Sequence, residues 1–488
     1  PAPTADAEKI WNGWRAQLPT SQPTIQDATE WPGNRTEPFD QFRAWQAQYR
    51  AAGNPTSLEA AGVALAKARR AAMARWIERD PEFALAQAVG PDTRRELPAA
   101  VLAELERWVE GRGGFEVMVR CGPEVKPADQ LTRNVRIGGE EFRTFVYGRR
   151  LGQTTKYDLP IHGVAVDGKL ALHSSPVRQL EPGEVRERGL APGAIHLETG
   201  GEVALAAHAQ DAFAIEAHWL KREAGLGAYP RAGQLRAGAL PAGLPPGTAA
   251  FPPTPNHTLG NKRILIIRVD FSDDPGNPVC TPNTPGTPGA TIDATLIGNV
   301  MTAVNQFYVD NSQSQTTVQP TVLPTVLRMP QTKAAYSNLD PMSNLRVDAL
   351  AAARTYDQQN GNTGQFNPDN YDWDTTVFNQ INGANYGFAG LAFVGAKGMV
   401  INGEFDLRVL AHELGHNYGL NHANRWDVTG TDPVDPNGTQ LDYGDDYDMM
   451  GGNNGNRSIH FNEWFKAYLG WLSTSNWRTA PTGGTYRL

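Results

Sequence analysis

Apolar residues spaced three and four apart mark the early part of the chain, and short alternating runs follow. From Ser57 to about Val89 the sequence is Ala-rich with interspersed Arg and Glu, and LPAAVLAELERWVEG from Leu97 keeps the same spacing. Both stretches predict helices. Between Phe115 and about Glu216 the runs FEVMVRC, EFRTFVYG, HGVAVDGKLALH and AIHLE are separated by Gly, Pro and Asp turn signals, which predicts a small β-rich module. Residues 225–261 are dense in Pro, Gly and Ala without periodicity and predict an extended linker open to proteolysis.

The second half has a different grain. NKRILIIRVDF is almost continuously apolar, as suits a strand buried on both faces. Ile292 to about Asp310 and Met342 to about Gln359 predict helices, and TVLPTVLRMP predicts strand. YGFAGLAFVGAKGMVING predicts a strand followed by a loop. A further helix starts after Asn402-Gly403, with Glu404 and Asp406 near its positive end and Leu407, Leu410 and Leu414 as its buried face.

At 488 residues the chain is long enough for two to four domains. Residues 251–488 carry 14 Lys+Arg against 22 Asp+Glu, so the formal charge of −8 belongs wholly to that half. An acidic, lysine-poor second half argues against nucleic acid or an anionic membrane as partner. No run reaches the roughly 18 apolar residues of a spanning helix. The chain opens Pro1-Ala2-Pro3 without Met, which leads to the expectation of a secreted, extracellular protein whose export signal has been removed. The two cysteines, Cys121 and Cys280, are open to a disulfide or to separate roles.

Candidate chemistry concentrates in HELGHNYGLNH, His412 to His422. Positions four apart lie on one helix face, so His412 and His416 can hold one ion, with Glu413 beside them. Gly419 tolerates φ > 0, which ends the helix sharply and lets His422 return as a third ligand. Three protein ligands leave a tetrahedral position open, the arrangement of a catalytic zinc rather than a structural one. The five fixed positions of HExxHxxGxxH recur by chance about once in a few million windows. Zinc bound by neutral histidines brings the pKa of its water to about 7, and Glu413 then serves as general base. The Asp-rich loop from Asp427 to Asp448 is a candidate Ca2+ site, although it lacks a DxDxDG signature. His460 and the remaining histidines lack ligand spacing and are assigned to scaffold.

The extended motif resembles the metzincin clan of zinc endopeptidases, with its nearest likeness to gametolysin-type peptidases and immune inhibitor A-like bacterial enzymes. RILIIRVDFSD, QFYVDNSQSQTTV and HFNEWFKAYLGWL are similar to segments of those enzymes, and the resemblance covers about residues 261–475. It implies a tight methionine turn under the metal, for which Met450 in Asp448-Met449-Met450-Gly451 is the candidate. The tyrosine that some clan members place two residues after the methionine is here Gly452, so no fifth ligand is expected from that turn. It also implies an edge strand, within YGFAGLAFVGAKGMVING, that receives an extended substrate; a plain core strand stays equally open. Arg120-Cys121-Gly122 resembles the propeptide cysteine that caps zinc in latent matrix metalloproteinases, which makes Cys121 a candidate latency thiol.

The expected architecture is an α+β multidomain chain. A metzincin-like zincin domain of twisted sheet and active-site helix at 261–475 follows a helical region at 1–114, a β-rich module at 115–224 and a linker at 225–260. Residues 476–488 would begin a further β-rich region. The expected function is a secreted zinc endopeptidase of extracellular proteins or peptides, made as a zymogen inhibited by its own prodomain. The alternatives are a catalytically silent binding or adhesion protein on the same fold, and a zinc hydrolase of non-peptide bonds.

Overall fold

The computed structural model describes residues 36–122, 130–206, 209–225, 255–281, 289–428, 430, 438–452 and 460–472. Most of the linker, Asp432, Asp435 and the expected β-rich start at 476–488 lie outside them. The protein is a mixed α+β chain of two compact units: one takes Ala5–Glu116 and Arg133–Phe251, the other Val117–Thr132 and Pro252–Leu488. Among the described residues no helix is long and apolar enough to cross a membrane.

In the first unit, helices α1 (Glu37–Ala51) and α2 (Glu59–Arg79) pack through Phe42, Trp45, Tyr49 and Ala66 onto Val89, Leu97, Val101 and Leu105. Arg69 is buried on α2, pairs with buried Glu106 and lies 5.5 Å from the rings of Phe39 and Phe42. Removing one partner would strand a charge in the core, a loss of about 3–5 kcal/mol. Strand β1 (Arg107–Cys121) pairs antiparallel with β4 (Lys156–Val166) from Arg107↔Ala165 onward. Strands β2 (Leu131–Ile137), β3 (Glu140–Phe145) and β5 (Lys169–Leu172) extend this sheet. A separate sheet holds β6 (Arg178–Gln179), β7 (Ile195–Thr199) and β8 (Glu202–Ala206), followed by helix α3 (Ala209–Gly225).

Two expectations change here. The helical spacing from Leu97 yields only a short helix at Ala99–Leu102, because from Arg107 the backbone gains more by pairing in register with β4 than from local propensity. The end of the β-rich run is helix α3. The divide between the units falls inside β1, after Glu116: from Val117 onward the strand pairs with a different partner.

The second unit is built on a mixed sheet. Its order is β10 (Thr316–Val322), β9 (Gly260–Asp270), β12 (Trp373–Phe378), β14 (Met399–Asn402), β13 (Gly390–Phe393), then Met118–Cys121 of β1. The first four strands are parallel; β13 is antiparallel to β14, and β1 antiparallel to β13. β9 is buried without a break from Ile264 to Asp270, as its apolar run predicts. TVLPTVLRMP divides between the end of β10 and the two-residue strand β11 (Leu327–Arg328). YGFAGLAFVGAKGMVING forms two strands, because Gly395 and Gly398 allow the chain to double back.

One face of the sheet carries helices α4 (Ala294–Asn311) and α6 (Leu407–Tyr418), with Ile297, Met301, Val304, Leu410 and Leu414 in a shared core with Ile264, Ile266 and Val377. Asp293 starts α4 by accepting the N–H groups of Thr295 and Leu296, each at 2.9 Å. Tyr308 of α4 stacks on Tyr418 at 4.9 Å and donates to the Ala411 carbonyl at 2.8 Å, which fixes α6 lengthwise. On the opposite face, Arg346 of helix α5 (Arg346–Gln359) makes two 2.7 Å bonds to buried Asp374 of β12. The expected apolar face of α6 is carried by Leu410, Ala411, Leu414 and Tyr418; Leu407, at its first position, is exposed.

Candidate metal centre

Helix α6 begins at Asp406, whose carboxylate accepts the Val409 N–H at 2.8 Å. It ends at Gly419, φ 119°, where Gly419 N–H donates to His416 O at 2.8 Å and Leu420 N–H to Gly415 O at 3.0 Å. This pair of bonds is the glycine-dependent helix stop anticipated from the sequence. It has a second use. The reversed chain presents the Leu420 carbonyl to His416 Nδ1, which donates to it at 2.8 Å.

The other two rings are oriented in the same manner. His412 Nδ1–H donates to the Met449 carbonyl at 2.8 Å, and His422 Nδ1 lies 3.1 and 3.2 Å from the two carboxylate oxygens of Asp442. With each Nδ1 proton committed to an oxygen, each Nε2 keeps a free lone pair, and these converge. The Nε2 atoms of His412 and His416 are 3.1 Å apart, and the Cys121 sulfur lies 3.4 Å from His416 Nε2 and 3.5 Å from His422 Nε2. All four donor atoms fall within 4.8 Å of one another, so the group could hold a metal ion. Lone pairs aimed at one point without intervening protons would repel, and a shared cation removes that conflict. Burial holds His412 and His416 well below the ordinary histidine range, so the rings are neutral, the form that ligates. Burial, then the field of Glu413, lifts the Cys121 thiol well above its usual range.

Glu413 stands beside this group, buried, its carboxylate next to the Cys121 thiol and, among the described residues, in no hydrogen bond of ordinary geometry. Burial pushes its carboxyl up to about 8. It packs on Gly390 of β13, where a side chain would collide with its carboxylate. A buried acid so weakly held costs stability and is retained where another molecule is to be engaged.

Met450 is fully buried beneath the helix. A Cβ on Gly415 would lie 2.5 Å from its sulfur, so the glycine between His412 and His416 lets the methionine turn rise against the helix. Arg408 fastens the same turn from α6, donating to the Met449 carbonyl and, at 2.6 Å, to the Gly451 carbonyl. Asp448 closes the turn by accepting the Met450 N–H at 2.6 Å.

Cys121 arrives on β1, its backbone in register with Gly390; its carbonyl accepts the Ala389 N–H at 2.8 Å. Next to it, Arg120 lies 3.6 Å from Asp340. Both cysteines are free thiols, which corrects the disulfide alternative: Cys121 belongs to the histidine cluster, and Cys280 packs at the edge of the α4/α6 core. Among the described residues no cluster of acids has ligand spacing, and Asp442, Asp445 and Asp448 spend carboxylate oxygens on His422, Tyr447 and Met450. His460 is exposed and outside the cluster. Asp442, Arg408 and Gly390 carry roles that sequence reading misses, since no spacing rule ties them to the motif. No family model and no curated protein matches the chain.

Proposed function

We propose that this chain is the latent precursor of a zinc endopeptidase of the metzincin kind, in which His412, His416 and His422 hold the metal and Cys121 fills the fourth position. The observation that carries the reading is the set of three Nδ1 protons each tied to an oxygen, leaving three Nε2 atoms and a thiol converging beside a buried glutamate. Three imidazoles and one sulfur in a compact set suit zinc better than the oxygen-seeking cations.

A zinc ion held there supplies Lewis acidity, which polarises a scissile carbonyl and makes water a nucleophile near neutral pH. The chain's own residues do the rest. Glu413 takes the proton from the attacking water and returns it to the leaving amine, a role worth ~10² to 10⁴ in rate. The β13 edge offers main-chain hydrogen bonds to an extended peptide once Met118–Cys121 leave it. Replacing the Cys121 side chain frees the fourth metal position for water and a short peptide, and because Cys121 is part of a strand in the sheet, full access for a long substrate follows when proteolytic removal of the amino-terminal region takes that strand away. Extracellular proteins and secretion remain part of this reading.

A second reading draws on the same geometry. Four protein donors make a closed site, the pattern of a structural zinc, and would suit a catalytically silent binding protein. The experiment that separates them compares the zinc-loaded full chain with its Cys121→Ala variant on a quenched-fluorescent peptide, with and without chelator. Chelator-sensitive hydrolysis by Cys121→Ala, little by the parent chain, and loss of hydrolysis but not zinc in a further Glu413→Gln change are expected. An inert Cys121→Ala chain with its zinc in place would leave the structural reading.

A further inference from the structure

The loop before the methionine turn contributes a residue that the histidines and Glu413 do not account for. Tyr443 holds φ at 57°, a left-handed backbone that a bulky aromatic rarely adopts. Its surroundings enforce this conformation: its N–H donates to Asn424 Oδ1 at 3.1 Å, and its carbonyl accepts the Gly452 N–H at 2.5 Å. The ring lies on His422 with centroids 3.6 Å apart and stacks on His412 at 5.7 Å, 20° between planes. One aromatic wall therefore serves two of the three donor rings.

At the end of that wall is the phenol. Its oxygen is buried and, among the described residues, makes no hydrogen bond of ordinary geometry, while Cys121 and Glu413 are the neighbouring groups that act on it most strongly. A wall alone would be served as well by phenylalanine, without a buried polar atom whose neighbour is the Cys121 thiol that has to leave the site. Strain of this kind gathers where a later partner is to be met. Arg408, the cation beside the site, is already spent on the carbonyls of Met449 and Gly451. Glu413 can accept a proton but offers no fixed donor when ionised.

We propose that Tyr443 is a catalytic residue of the opened site: when the Cys121 thiol withdraws, the phenol donates a hydrogen bond to the scissile carbonyl oxygen as that oxygen gains negative charge. The inference rests on the peptidase reading above. It also supplies a donor from a position seven residues before the methionine, where the sequence pattern offers none after it. A single donor aimed at a developing oxyanion contributes on the order of 10²-fold or more in rate.

The test uses the zinc-loaded full chain carrying Cys121→Ala, with and without Tyr443→Phe, which keeps the ring. Expected in the double variant is a kcat lower by about 10²-fold with little change in KM. A peptide analogue whose scissile amide is replaced by a phosphinate should bind it more weakly by a similar factor in calorimetry, while a cleaved product peptide binds equally to both. Zinc content and unfolding midpoint should match. Unchanged kcat and phosphinate affinity in Tyr443→Phe would overturn the assignment, as would lost zinc or equal weakening of both ligands, which mark a merely structural ring. A Cys121→Ala parent that holds zinc and cleaves nothing sinks the peptidase reading itself, and the assignment with it.

Discussion

Gly390→Ala tests whether Glu413 works from the position it occupies. A methyl group at 390 would sit 2.5 Å from both Cδ and Cγ of Glu413, whereas carbon atoms rest about 3.5–4.0 Å apart. Gly390 is paired with Cys121 on one side and Ile401 on the other, so the strand yields little and the carboxylate retreats by about 1 Å. A general base must stand within about 2.6–3.2 Å of the proton it takes, and a 1 Å misplacement costs on the order of 10²-fold. That equals about 2.7 kcal/mol of transition-state stabilisation, at about 1.36 kcal/mol per tenfold. The histidines are unaffected, because their Nδ1 protons are anchored on Met449, Leu420 and Asp442. Steady-state hydrolysis of a quenched peptide by the Cys121→Ala chain, with and without Gly390→Ala, provides the measurement, alongside metal analysis. kcat/KM should fall about 10²-fold with zinc retained. A double variant as active as its parent would refute the placement of Glu413 as base.

Three further outcomes follow from the same contacts. Asp442→Asn removes the carboxylate that orients His422 and should weaken zinc binding about 10- to 100-fold in competition with a chromophoric chelator; undiminished affinity would deny Asp442 that role. Gly415→Ala drives a methyl against the Met450 sulfur, 2.5 Å away, and the Phe461 ring at 3.3 Å, which should lower stability in urea by about 1–3 kcal/mol. His173 Nδ1 accepts the Ser175 N–H at 3.0 Å, a bond open only to the neutral ring, and burial, then His162, lowers its pKa to about 4. Because the folded value lies below the unfolded value of about 6.5, the unfolded chain takes up the proton first. This contribution is complete above pH about 6.5 and is lost as pH falls toward about 4, a change of about 1–2 kcal/mol after allowance for partial exposure. Urea titrations at neutral and mildly acidic pH check it, and His173→Asn should flatten the difference; an equal slope in that variant would assign the pH dependence elsewhere.

The part of the site that was legible in advance is the part built from neighbours in sequence. His412, Glu413 and His416 are related by the helix repeat, and His422 by a glycine stop whose two hydrogen bonds now appear at Gly419 and Leu420. Cys121 stood out only through a short resemblance, since its approach to His416, 295 residues away in sequence, depends on the register of β1 against β13. Asp442 was visible as one acid among many in an Asp-rich loop, and nothing local distinguishes the one that meets His422. Arg408 and Gly390 act through the folded turn and strand and leave no trace in spacing. The misread stretch after Leu97 has the same cause: helical periodicity is a local signal, while pairing with β4 is a distant one, and the distant partner prevailed.

The four-residue pairing between β1 and β13 has a cost once it is undone. A bared margin of sheet invites any extended chain, including that of another molecule of the same kind. Self-association would then rise with concentration and compete with turnover, so an opened preparation should be most active when dilute. Keeping the margin sheathed holds that clumping off.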